Sequence, residues 1–456
     1  MAQHKETIHH KSYFYNSLKA YGVFAFSRYY KRRQVIGLEN IPYGTPFIFA
    51  PNHQNALMDA LAVLTSNNIN TIFFARADVF KQKWKAKVLQ SFKIKPIYRI
   101  RDGASELHKN EGIFQAAINV LGDDCPVCVM PEGNHGDKRQ LRKLVKGIFR
   151  IALRTQEALP DGKKVKIVPV GLDFSEYTKF FQNLLVIYGQ PIDVSEYIEA
   201  YKEDAPKGIN ELRERLASEM KKIMIHIQND ELYDMYQYLR ELYNDNMRKK
   251  LAIVGKSLYE KFRADKQMIR ILDEEFEKNP DLLRQLSEKT IQYKSGLEKL
   301  NLRNWIFERS GFTTKKLIYK RMGLYLSSPL FLLGYLNNFL PYTLPLTVIP
   351  KVKDAQFHSS FKFGLAFFIF PVFYAIQTII VGIIAKSGLI ALAYLVGLPI
   401  FGYFALFWHI WHKRWKAGLK YRKLKKSRNK ELLDLEKLHK EILDSTDEIM
   451  DAHIQK

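Results

Sequence analysis

Two long apolar stretches near the C-terminal end constrain the fold of this chain more than any other feature. Residues 365–385 and 388–409 are each about 20 residues long and contain no Asp, Glu, Lys or Arg. Helices of that length can cross a hydrocarbon core of roughly 30 Å, and two such runs back to back rarely find enough protein to cover them. We therefore predict a membrane hairpin with Lys386 and Ser387 at its outer tip.

A third apolar stretch, residues 324–349, precedes the hairpin and differs from it in composition. It holds two asparagines and three prolines: Pro329, Asn337, Asn338, Pro341 and Pro345. Proline removes a helical hydrogen bond and kinks or breaks a helix. The sequence therefore predicts a broken, re-entrant or interfacial segment here, within a membrane region that covers residues 321–410.

Positive charge indicates the direction of the hairpin. Lys351, Lys353 and Lys362 precede the first span, and ten Lys or Arg lie between residues 413 and 430. Lysine and arginine near span ends are retained on the cytoplasmic side. We expect an even number of crossings in the cytoplasmic (inner) membrane, with a multi-pass topology, the basic tail 411–456 inside and the catalytic domain on the cytoplasmic side.

The overall charge indicates the partners of the chain, and the cysteines indicate whether disulfides hold its fold together. Lys and Arg total 71 against 47 Asp and Glu, a formal charge of +24, which favours polyanionic partners. Because the basic tail follows apolar spans directly, membrane lipids are the predicted partner and nucleic acid is not. Cys125 and Cys128, which are the only cysteines, predict no disulfide framework and are interpreted as core thiols of a buried strand.

Two further regions have a distinct composition. Residues 1–34 mix aromatic and basic side chains, which is typical of a helix lying in the headgroup region or of a helix packed on the neighbouring domain. Residues 196–320 are rich in Glu, Lys, Leu and Tyr and predict charged amphipathic helices that act as a scaffold or a lid.

Between these regions, short β-rich runs alternate with helical stretches over residues 35–195. The alternation predicts an α/β domain with a sheet covered by helices. The candidate strands are residues 46–50, 71–75, 96–99, 127–130, 166–171 and 184–188. Residues 106–121 and 141–158 show helical spacing of apolar side chains.

The first segment with chemical potential follows a strand and contains His53 and Asp59. An imidazole whose tautomer is fixed by a carboxylate is suited to act as a general base. On a continuous helix the two side chains would point roughly 120° apart, so they meet only if His53 lies in a loop ahead of the helix. Asn52 and Asn55 are possible caps of that helix.

The second segment lies about 75 residues later, where Pro131-Glu132-Gly133-Asn134-His135 runs on to Lys146-Gly147. It supplies a Glu-Gly turn and a cluster of cations. Together the two segments suggest group transfer to an alcohol on an anionic molecule. His135 has nothing beyond its location to tie it to this chemistry.

Four blocks over residues 35–195 resemble the ordered blocks of the glycerolipid acyltransferases, which include the glycerol-3-phosphate and 1-acylglycerol-3-phosphate acyltransferases. The blocks are Asn52-His53 with Asp59, Tyr98-Arg99-Ile100-Arg101, Pro131-Glu132-Gly133 with Lys146-Gly147, and Val168-Pro169-Val170. The resemblance implies a glycerol-3-phosphate acyltransferase-like domain with His53 and Asp59 as catalytic pair. It further implies that Glu132, Gly133 and an arginine of the second block bind the phosphorylated acceptor, and that Pro169 shapes the acyl-donor pocket.

The chain departs from the family pattern in ways that leave the acceptor open. One more residue separates His53 from Asp59 than is usual, so the motif is a His-x5-Asp variant. Asn134-His135 stand where the family usually has Thr or Ser followed by Arg or Ser. Arg99 and Arg101 both fit the second block.

We therefore hypothesise that His53 deprotonates an acceptor hydroxyl, which attacks an acyl thioester in one step. No Ser or Cys lies in a recognisable nucleophile elbow, so direct transfer needs only the base. Backbone amides after Asn52 are expected to steady the oxyanion, and Arg99, Arg101 and Lys146 to hold the phosphate. No metal or cofactor is expected beyond acyl-CoA or acyl carrier protein as the co-substrate.

Three alternatives remain open at this point. In the first, the chain is an enzyme that acts on another lysolipid or an amino-lipid. In the second, the chain is a non-catalytic lipid-binding scaffold that keeps the fold. A phosphoryl-transfer enzyme is the more remote reading, because the sequence has no Gly-rich P-loop and no evident cluster of metal-binding carboxylates.

Overall fold

The computed structural model describes residues 13–76, 80, 83, 86–87, 92–97, 109–160, 162–308 and 312–454. The chain divides into two units, which are described separately. Unit 1 comprises Met1–His226, Ser257–Tyr259 and Val352–Phe363. Unit 2 comprises Ile227–Lys256, Glu260–Lys351 and Gly364–Lys456.

Unit 1 is built around a mixed sheet of eight strands. In chain order the strands are β1 Arg32–Ile36, β2 Phe47–Pro51, β3 Ile72–Arg76, β4 Ile94–Ile97, β5 Val127–Cys128, β6 Lys166–Phe174, β7 Asn183–Tyr188 and β8 Ile192–Asp193. The spatial order is β1-β7-β6-β2-β5-β3-β4, and β8 pairs with β6. The pairs are parallel except that β6 runs antiparallel to β7 and β8.

Helices cover this sheet. They are α1 Tyr13–Tyr29, α2 Leu57–Ser66, α3 Lys109–Gly122, α4 Gly147–Ala158, α5 Ile198–Glu203 and α6 Ala205–Ile223. Strands β2 and β7 are apolar on both faces, which is typical of strands covered on both sides. Ile48 and Ile167 of the sheet form one core with Phe149 of α4 and Leu216 of α6. The predicted α/β domain with a helix-covered sheet is therefore confirmed.

Helix α1 packs on unit 1 through its C-terminal aromatic residues. Phe26 and Tyr29 are buried, and both rings contact the ring of Phe363 edge-on. Tyr13 and Phe24 are exposed. Packing on the neighbouring domain is thus one of the two arrangements that the sequence allowed, and an interfacial location for the exposed side stays a prediction.

Gly171 allows β6 and the end of α6 to approach each other. A Cβ at this position would lie far inside van der Waals contact of the carbonyl oxygen of Ile223. We expect Gly171→Ala to destabilise the protein by about 3 kcal/mol, because backbone must move to admit the methyl group. Chemical unfolding in detergent should show the opposite sign for Gly112→Ala in α3, where nothing lies within 4 Å and alanine favours the helix. Equal stability of Gly171→Ala and the parent protein would contradict the close approach.

Unit 2 contains only helices among its described residues, apart from short 3₁₀ turns. They are α7 Tyr233–Leu242, α8 Asn244–Lys250, α9 Leu258–Lys278, α10 Pro280–Lys299, α11 Trp305–Glu308, α12 Thr314–Leu326, α13 Ser328–Val348, α14 His358–Ala385, α15 Gly388–Lys426 and α16 Lys430–Ile454. The first residues of α9 and of α14 belong to unit 1. Helices α7, α9 and α10 are amphipathic, with buried apolar faces and charged outer faces.

By length and composition, two helices among the described residues are able to cross a membrane. Ala355–Ala385 and Gly388–Lys426 contain apolar windows of which 0% and 6%, respectively, is buried. These helices include the two stretches predicted from the sequence. Membrane insertion itself belongs to the proposal below.

The prediction that prolines break the stretch 324–349 is correct at Pro329, because α12 ends at Leu326 and α13 begins at Ser328, and it is wrong for the two later prolines. A re-entrant or interfacial location of the stretch stays a prediction. Pro341 and Pro345 lie inside the continuous helix α13. A proline at position 341 leaves the carbonyl of Asn337 without its usual helical donor, and the side-chain amide of Gln377 donates to that carbonyl at 3.0 Å. A side chain from a neighbouring apolar helix therefore replaces the missing hydrogen bond.

The same contact belongs to a polar network that joins α13, α14 and α15. The hydroxyl of Tyr374 donates to Asn338 at 2.7 Å, and the hydroxyl of Tyr394 donates to Asn337. Polar groups in an apolar bundle are costly unless they are paired, and these are paired with one another. The network therefore fixes the register of the three helices.

Candidate active site

His53 and Asp59 are in direct contact. The imidazole Nδ1 of His53 lies 2.9 Å from Oδ2 of Asp59, and the side chains are 16% and 1% exposed. His53 stands in the loop between β2 and α2, ahead of the helix that carries Asp59. The predicted arrangement, with the histidine in the loop, is confirmed.

The loop folds back over the first turn of α2, which absorbs the additional residue of the His-x5-Asp spacing. Oδ2 of Asp59 also accepts the backbone N–H groups of Gln54 at 2.9 Å and Asn55 at 2.7 Å. Ala56 adopts φ +45°, a conformation that favours glycine, where the chain turns into the helix. Three donors on one oxygen hold the carboxylate in place for the imidazole.

The two asparagines predicted as caps do not cap α2. The residue before the helix is Ala56, and no side chain caps there. Instead, Asn52 bridges to β6: its side chain accepts the N–H of Leu172 at 2.7 Å and donates to the Leu172 carbonyl at 3.1 Å. Asn52 thereby extends the pairing of β2 with β6 and fixes the start of the His53 loop.

Four of the backbone amides after Asn52 are already used within the protein. His53 N–H donates to Glu132, Gln54 and Asn55 N–H donate to Asp59, and Leu57 N–H donates to Ser360. The expectation that amides after Asn52 stabilise an oxyanion is therefore wrong for these four residues, and it stays a prediction for the N–H of Ala56. The carboxylates and the hydroxyl that order the loop consume those donors.

Glu132 holds the backbone of His53. Its Oε1 accepts the N–H of His53 at 2.8 Å, and its Oε2 accepts the N–H of Arg142 at 3.2 Å. Its side chain is buried at 4% exposure. The carbonyl of His53 accepts the N–H of Gly136 at 2.9 Å, so the loop after β5 holds His53 at both backbone groups. In this structure Glu132 contributes to the site by holding the backbone of His53.

Gly133 is required by the turn that follows Glu132. Its φ is +67°, and a Cβ would lie 2.9 Å from a methyl group of Val145. Both the left-handed backbone and the close approach exclude a larger side chain without strain. The Glu-Gly turn thus has a structural reason in this chain: it lets the carboxylate reach the His53 loop.

Pro169 and Lys146 are the other predicted site residues that the structure describes. Pro169 is buried in β6, opposite Ala50 of β2 and next to the strand end that leads to His53. Lys146 is exposed immediately before α4. Arg99 and Arg101 lie outside the described residues. The substrate-binding roles predicted for Arg99, Arg101, Glu132, Gly133, Lys146 and Pro169 stay predictions.

Burial raises the pKa of Glu132 to about 7. Desolvation is the main cause, and the N–H groups of His53 and Arg142 and the charge of His53 oppose it. A carboxyl group whose folded pKa exceeds its ordinary value of 4.5 contributes stability that is fully present below pH 4.5 and is lost as the pH rises through about 7.

This shift predicts a pH-dependent effect of Glu132→Gln. Because glutamine does not titrate, the free energy of unfolding of the parent protein relative to the variant should fall by about 3 kcal/mol between pH 4 and pH 8. Chemical unfolding in detergent at a series of pH values measures this difference. Glu39→Gln, the same change at an exposed glutamate of unit 1, is the matched control. A stability difference for Glu132→Gln that does not change with pH would contradict the raised pKa.

The two cysteines are free thiols. Cys128 is buried in β5, and burial together with the negative charge of Asp59 raises the pKa of its thiol. Cys125 is half-buried, and burial raises its pKa as well. The interpretation of core thiols holds fully for Cys128 and partly for Cys125.

Sequence reasoning missed the role of residues 352–363, which lead into α14 and include its first residues. Asp354 contacts His135, the hydroxyl of Ser359 donates to the carbonyl of Tyr177, and the ammonium of Lys362 donates to the carbonyl of Thr178 at 2.7 Å. These contacts place residues 352–363 beside the His53 loop. Their basic residues were interpreted only as a flank of the first span, and no local pattern pointed to the site.

The chemical capacity of the arrangement follows from the tautomer of His53. With Nδ1 directed to Asp59, the imidazole has Nε2 available to accept a proton. The adjacent carboxylate stabilises the imidazolium that forms. Among the described residues, no group of three or more His, Cys, Asp or Glu side chains is arranged to hold a metal ion.

Comparisons with known proteins show a similarity to acyltransferases. Residues 32–173 match the acyltransferase family. The chain is 23% identical over 292 residues to glycerol-3-phosphate O-acyltransferase 2 of Saccharomyces cerevisiae, covering 61% of this chain and 39% of that protein. It is 23% identical over 201 residues to glycerol-3-phosphate O-acyltransferase 1 of the same yeast, covering 43% and 25%. The matches thus span less than two thirds of these relatives' lengths.

A solved structure is also similar. The 1-acyl-sn-glycerophosphate acyltransferase PlsC from Thermotoga maritima is 21% identical, covers 46% of this chain and 81% of its own, and superposes with a TM-score of 0.33. The family match and the yeast relatives confirm the resemblance to the glycerolipid acyltransferases that the four sequence blocks indicated.

Proposed function

We propose that this chain, whose residues 32–173 belong to the acyltransferase family, acylates glycerol 3-phosphate or 1-acylglycerol 3-phosphate in phospholipid biosynthesis. The contact between His53 and Asp59 at 2.9 Å carries the proposal, because it supplies an oriented general base. The glycerol-3-phosphate O-acyltransferases among the relatives support this choice of acceptor.

The proposed reaction is a single acyl transfer. His53 Nε2 takes the proton of the acceptor hydroxyl while that oxygen attacks the thioester carbonyl carbon. The carbon–sulfur bond then breaks, the sulfur leaves as a thiolate, and the imidazolium returns its proton to that sulfur. Asp59 stabilises the imidazolium between these steps, and Glu132 keeps the His53 backbone in place.

Phosphate recognition is assigned to three cations, of which Lys146 lies among the described residues. Arg99 and Arg101 offer planar pairs of donors, and the exposed ammonium of Lys146 acts as a point charge. Pro169 is assigned to the pocket of the acyl donor, which is acyl-CoA or an acyl carrier protein. The oxyanion needs a donor other than the amides of residues 53–55, since those amides bind carboxylates.

An acceptor panel tests this function. Purified full-length protein in liposomes is given labelled acyl-CoA or acyl carrier protein with glycerol 3-phosphate, 1-acylglycerol 3-phosphate, lysophosphatidylcholine or a hydroxylated amino-lipid. Glycerol and monoacylglycerol, which lack the phosphate, are the matched controls. Transfer that requires the phosphate is expected. Preference for the amino-lipid would overturn the acceptor, and no transfer to any acceptor would favour a lipid-binding scaffold.

The chain is proposed to sit in the cytoplasmic membrane through a hairpin of α14 and α15, with unit 1 in the cytoplasm. The length and composition of the two helices and the basic residues around them support this topology. Single cysteines at Ser387 and Ser427 test it with a membrane-impermeant maleimide on intact cells. Labelling of Ser387→Cys alone is expected, and labelling of Ser427→Cys from outside would reverse the topology. The parent protein controls for the native thiols.

A further inference from the structure

His135 is an aromatic neighbour of the proposed base. Its ring centroid lies 5.8 Å from that of His53, with the two ring planes at 90°. The ring of Phe357 lies 4.9 Å from His135 on another edge-on contact. His135 therefore joins His53 to a residue far away in sequence through ring contacts.

A carboxylate fixes the orientation of His135. Its Nε2 lies 2.7 Å from Oδ2 of Asp354, and the two side chains are 11% and 47% exposed. The other oxygen of Asp354 accepts the N–H of Gln356 at 3.0 Å, so the carboxylate is itself oriented by its own turn. Burial opposes ionisation of Asp354, yet hydrogen bonds from His135 and Gln356 and nearby positive charge hold its pKa below the usual range.

The backbone around His135 is also fixed. The guanidinium of Arg142 donates from Nη1 to the carbonyls of Asn134 at 3.2 Å and His135 at 2.9 Å. The next residue, Gly136, donates its N–H to the carbonyl of His53. The position of the His135 ring is thus fixed by the hydrogen bonds of its backbone, by the contact of Nε2 with Asp354 and by two ring contacts.

The segment that supplies Asp354 is anchored to unit 1 along its length. Besides Ser359 and Lys362, the hydroxyl of Ser360 accepts the N–H of Leu57, the first residue of α2, at 3.2 Å. Phe363 packs on Phe26 of α1. Residues 352–363 belong to unit 1 although they lie well beyond residues 32–173, which match the family.

We propose that His135 and Asp354 are positioning residues that hold the His53 imidazole against Asp59, so that residues 352–363 form part of the catalytic unit. An imidazole held through one nitrogen can still pivot about that hydrogen bond, and an edge-on ring beside it limits the pivot. A displacement of about 1 Å at a reacting group can cost on the order of a hundredfold in rate. The proposal rests on the acyl transfer proposed above.

Kinetics of four variants test the positioning role in full-length protein in liposomes. His135→Ala and Asp354→Ala should each lower kcat by about tenfold with the KM values of donor and acceptor unchanged. The double variant should also lose about tenfold, because both residues act through the same ring. Asp124→Ala is the matched control, since Asp124 is a surface carboxylate of unit 1 paired with Lys163 at 2.9 Å.

A second readout does not depend on acyl transfer. Carbethoxylation of His53 by diethylpyrocarbonate, followed by mass spectrometry, should proceed several-fold faster in Asp354→Ala than in Asp124→Ala, because the ring is less restrained. If the parent protein acylates no acceptor, the proposed function fails while this labelling still tests the positioning.

Three results would overturn the inference. Asp354→Ala could match Asp124→Ala in both kcat and labelling rate. The losses of the single variants could multiply in the double variant, which would make them independent. A raised KM for the acceptor at unchanged kcat would assign the pair to acceptor binding instead. Thermal unfolding of each variant confirms that the compared proteins are folded.

Discussion

Replacing His53 with alanine is expected to lower acyl transfer by about a hundredfold or more, the range that general base catalysis supplies. The loss should fall on kcat, because the imidazole acts on the hydroxyl in the transition state and contributes little to binding either substrate. Steady-state kinetics with labelled acyl donor measure it. The fold should survive, since the His53 side chain is partly exposed, at 16%, and the Glu132 contact uses its backbone N–H.

A histidine outside the site provides the control for this variant. His439 packs against the rings of Tyr293 and Phe307 in unit 2. His439→Ala should cost stability through lost packing, while the folded fraction turns over normally. Turnover of His53→Ala near that of the parent protein would exclude the role of general base.

Asp59→Asn is expected to reduce kcat by about a hundredfold through the loss of charge at unchanged shape. The amide oxygen of an asparagine can take the place of Oδ2, which accepts the donors of His53, Gln54 and Asn55. Its NH₂ group can take the place of Oδ1, which has no hydrogen-bond partner among the described residues. The loop geometry is then kept. A neutral amide does not stabilise the imidazolium, so the transition state loses its counter-charge.

A buried aspartate in unit 2 gives the matched control. Asp265 is 1% exposed and pairs with Arg240 at 3.0 Å. Asp265→Asn removes a buried counter-charge of that guanidinium and should reduce the free energy of unfolding by about 3 kcal/mol, with normal turnover of the folded protein. Equal kinetic losses in Asp59→Asn and Asp265→Asn would show a general folding defect and argue against a catalytic role for Asp59.

The contact between His53 and Asp59 was predicted from the resemblance of four sequence blocks to the glycerolipid acyltransferases together with helical geometry. The two residues lie six positions apart, and the requirement that the histidine precede the helix follows from helical geometry alone. The way in which the loop closes was not predictable. It depends on Ala56 taking a positive φ and on amides of the loop binding Asp59. The sequence suggested asparagine caps because residue preference is all that it shows at such a position.

The function of Glu132 within the site was hidden for a different reason. Its partners are two backbone N–H groups, one of them 79 residues away, and backbone groups leave no trace in residue identity. The resemblance to the glycerolipid acyltransferases therefore implied a direct substrate-binding role for Glu132. Asp354 was hidden by distance, because 219 positions separate it from His135 and its neighbours in sequence suggested a membrane flank.

The sequence predicted the central strands of unit 1 better than the strand at the edge of its sheet. Alternating strand and helix patterns predicted the α/β domain, since β2, β6 and β7 have strong apolar runs. Strand β1, rich in arginine, was missed because its position next to β7 is determined by pairing rather than by its own composition. In the apolar region, proline content misled because the compensating amide of Gln377 belongs to another helix.

Unit 1 is built from segments that are separated in the sequence, so its parts are synthesised at different times on the ribosome. The emerging polypeptide completes the eight strands long before it supplies residues 352–363, because more than a hundred residues of unit 2 are translated in between. Asp354 and Ser360, which contact His135 and Leu57, are translated only after this part of unit 2. The contacts around the His53 loop are therefore complete only once the chain has been synthesised well beyond residues 32–173.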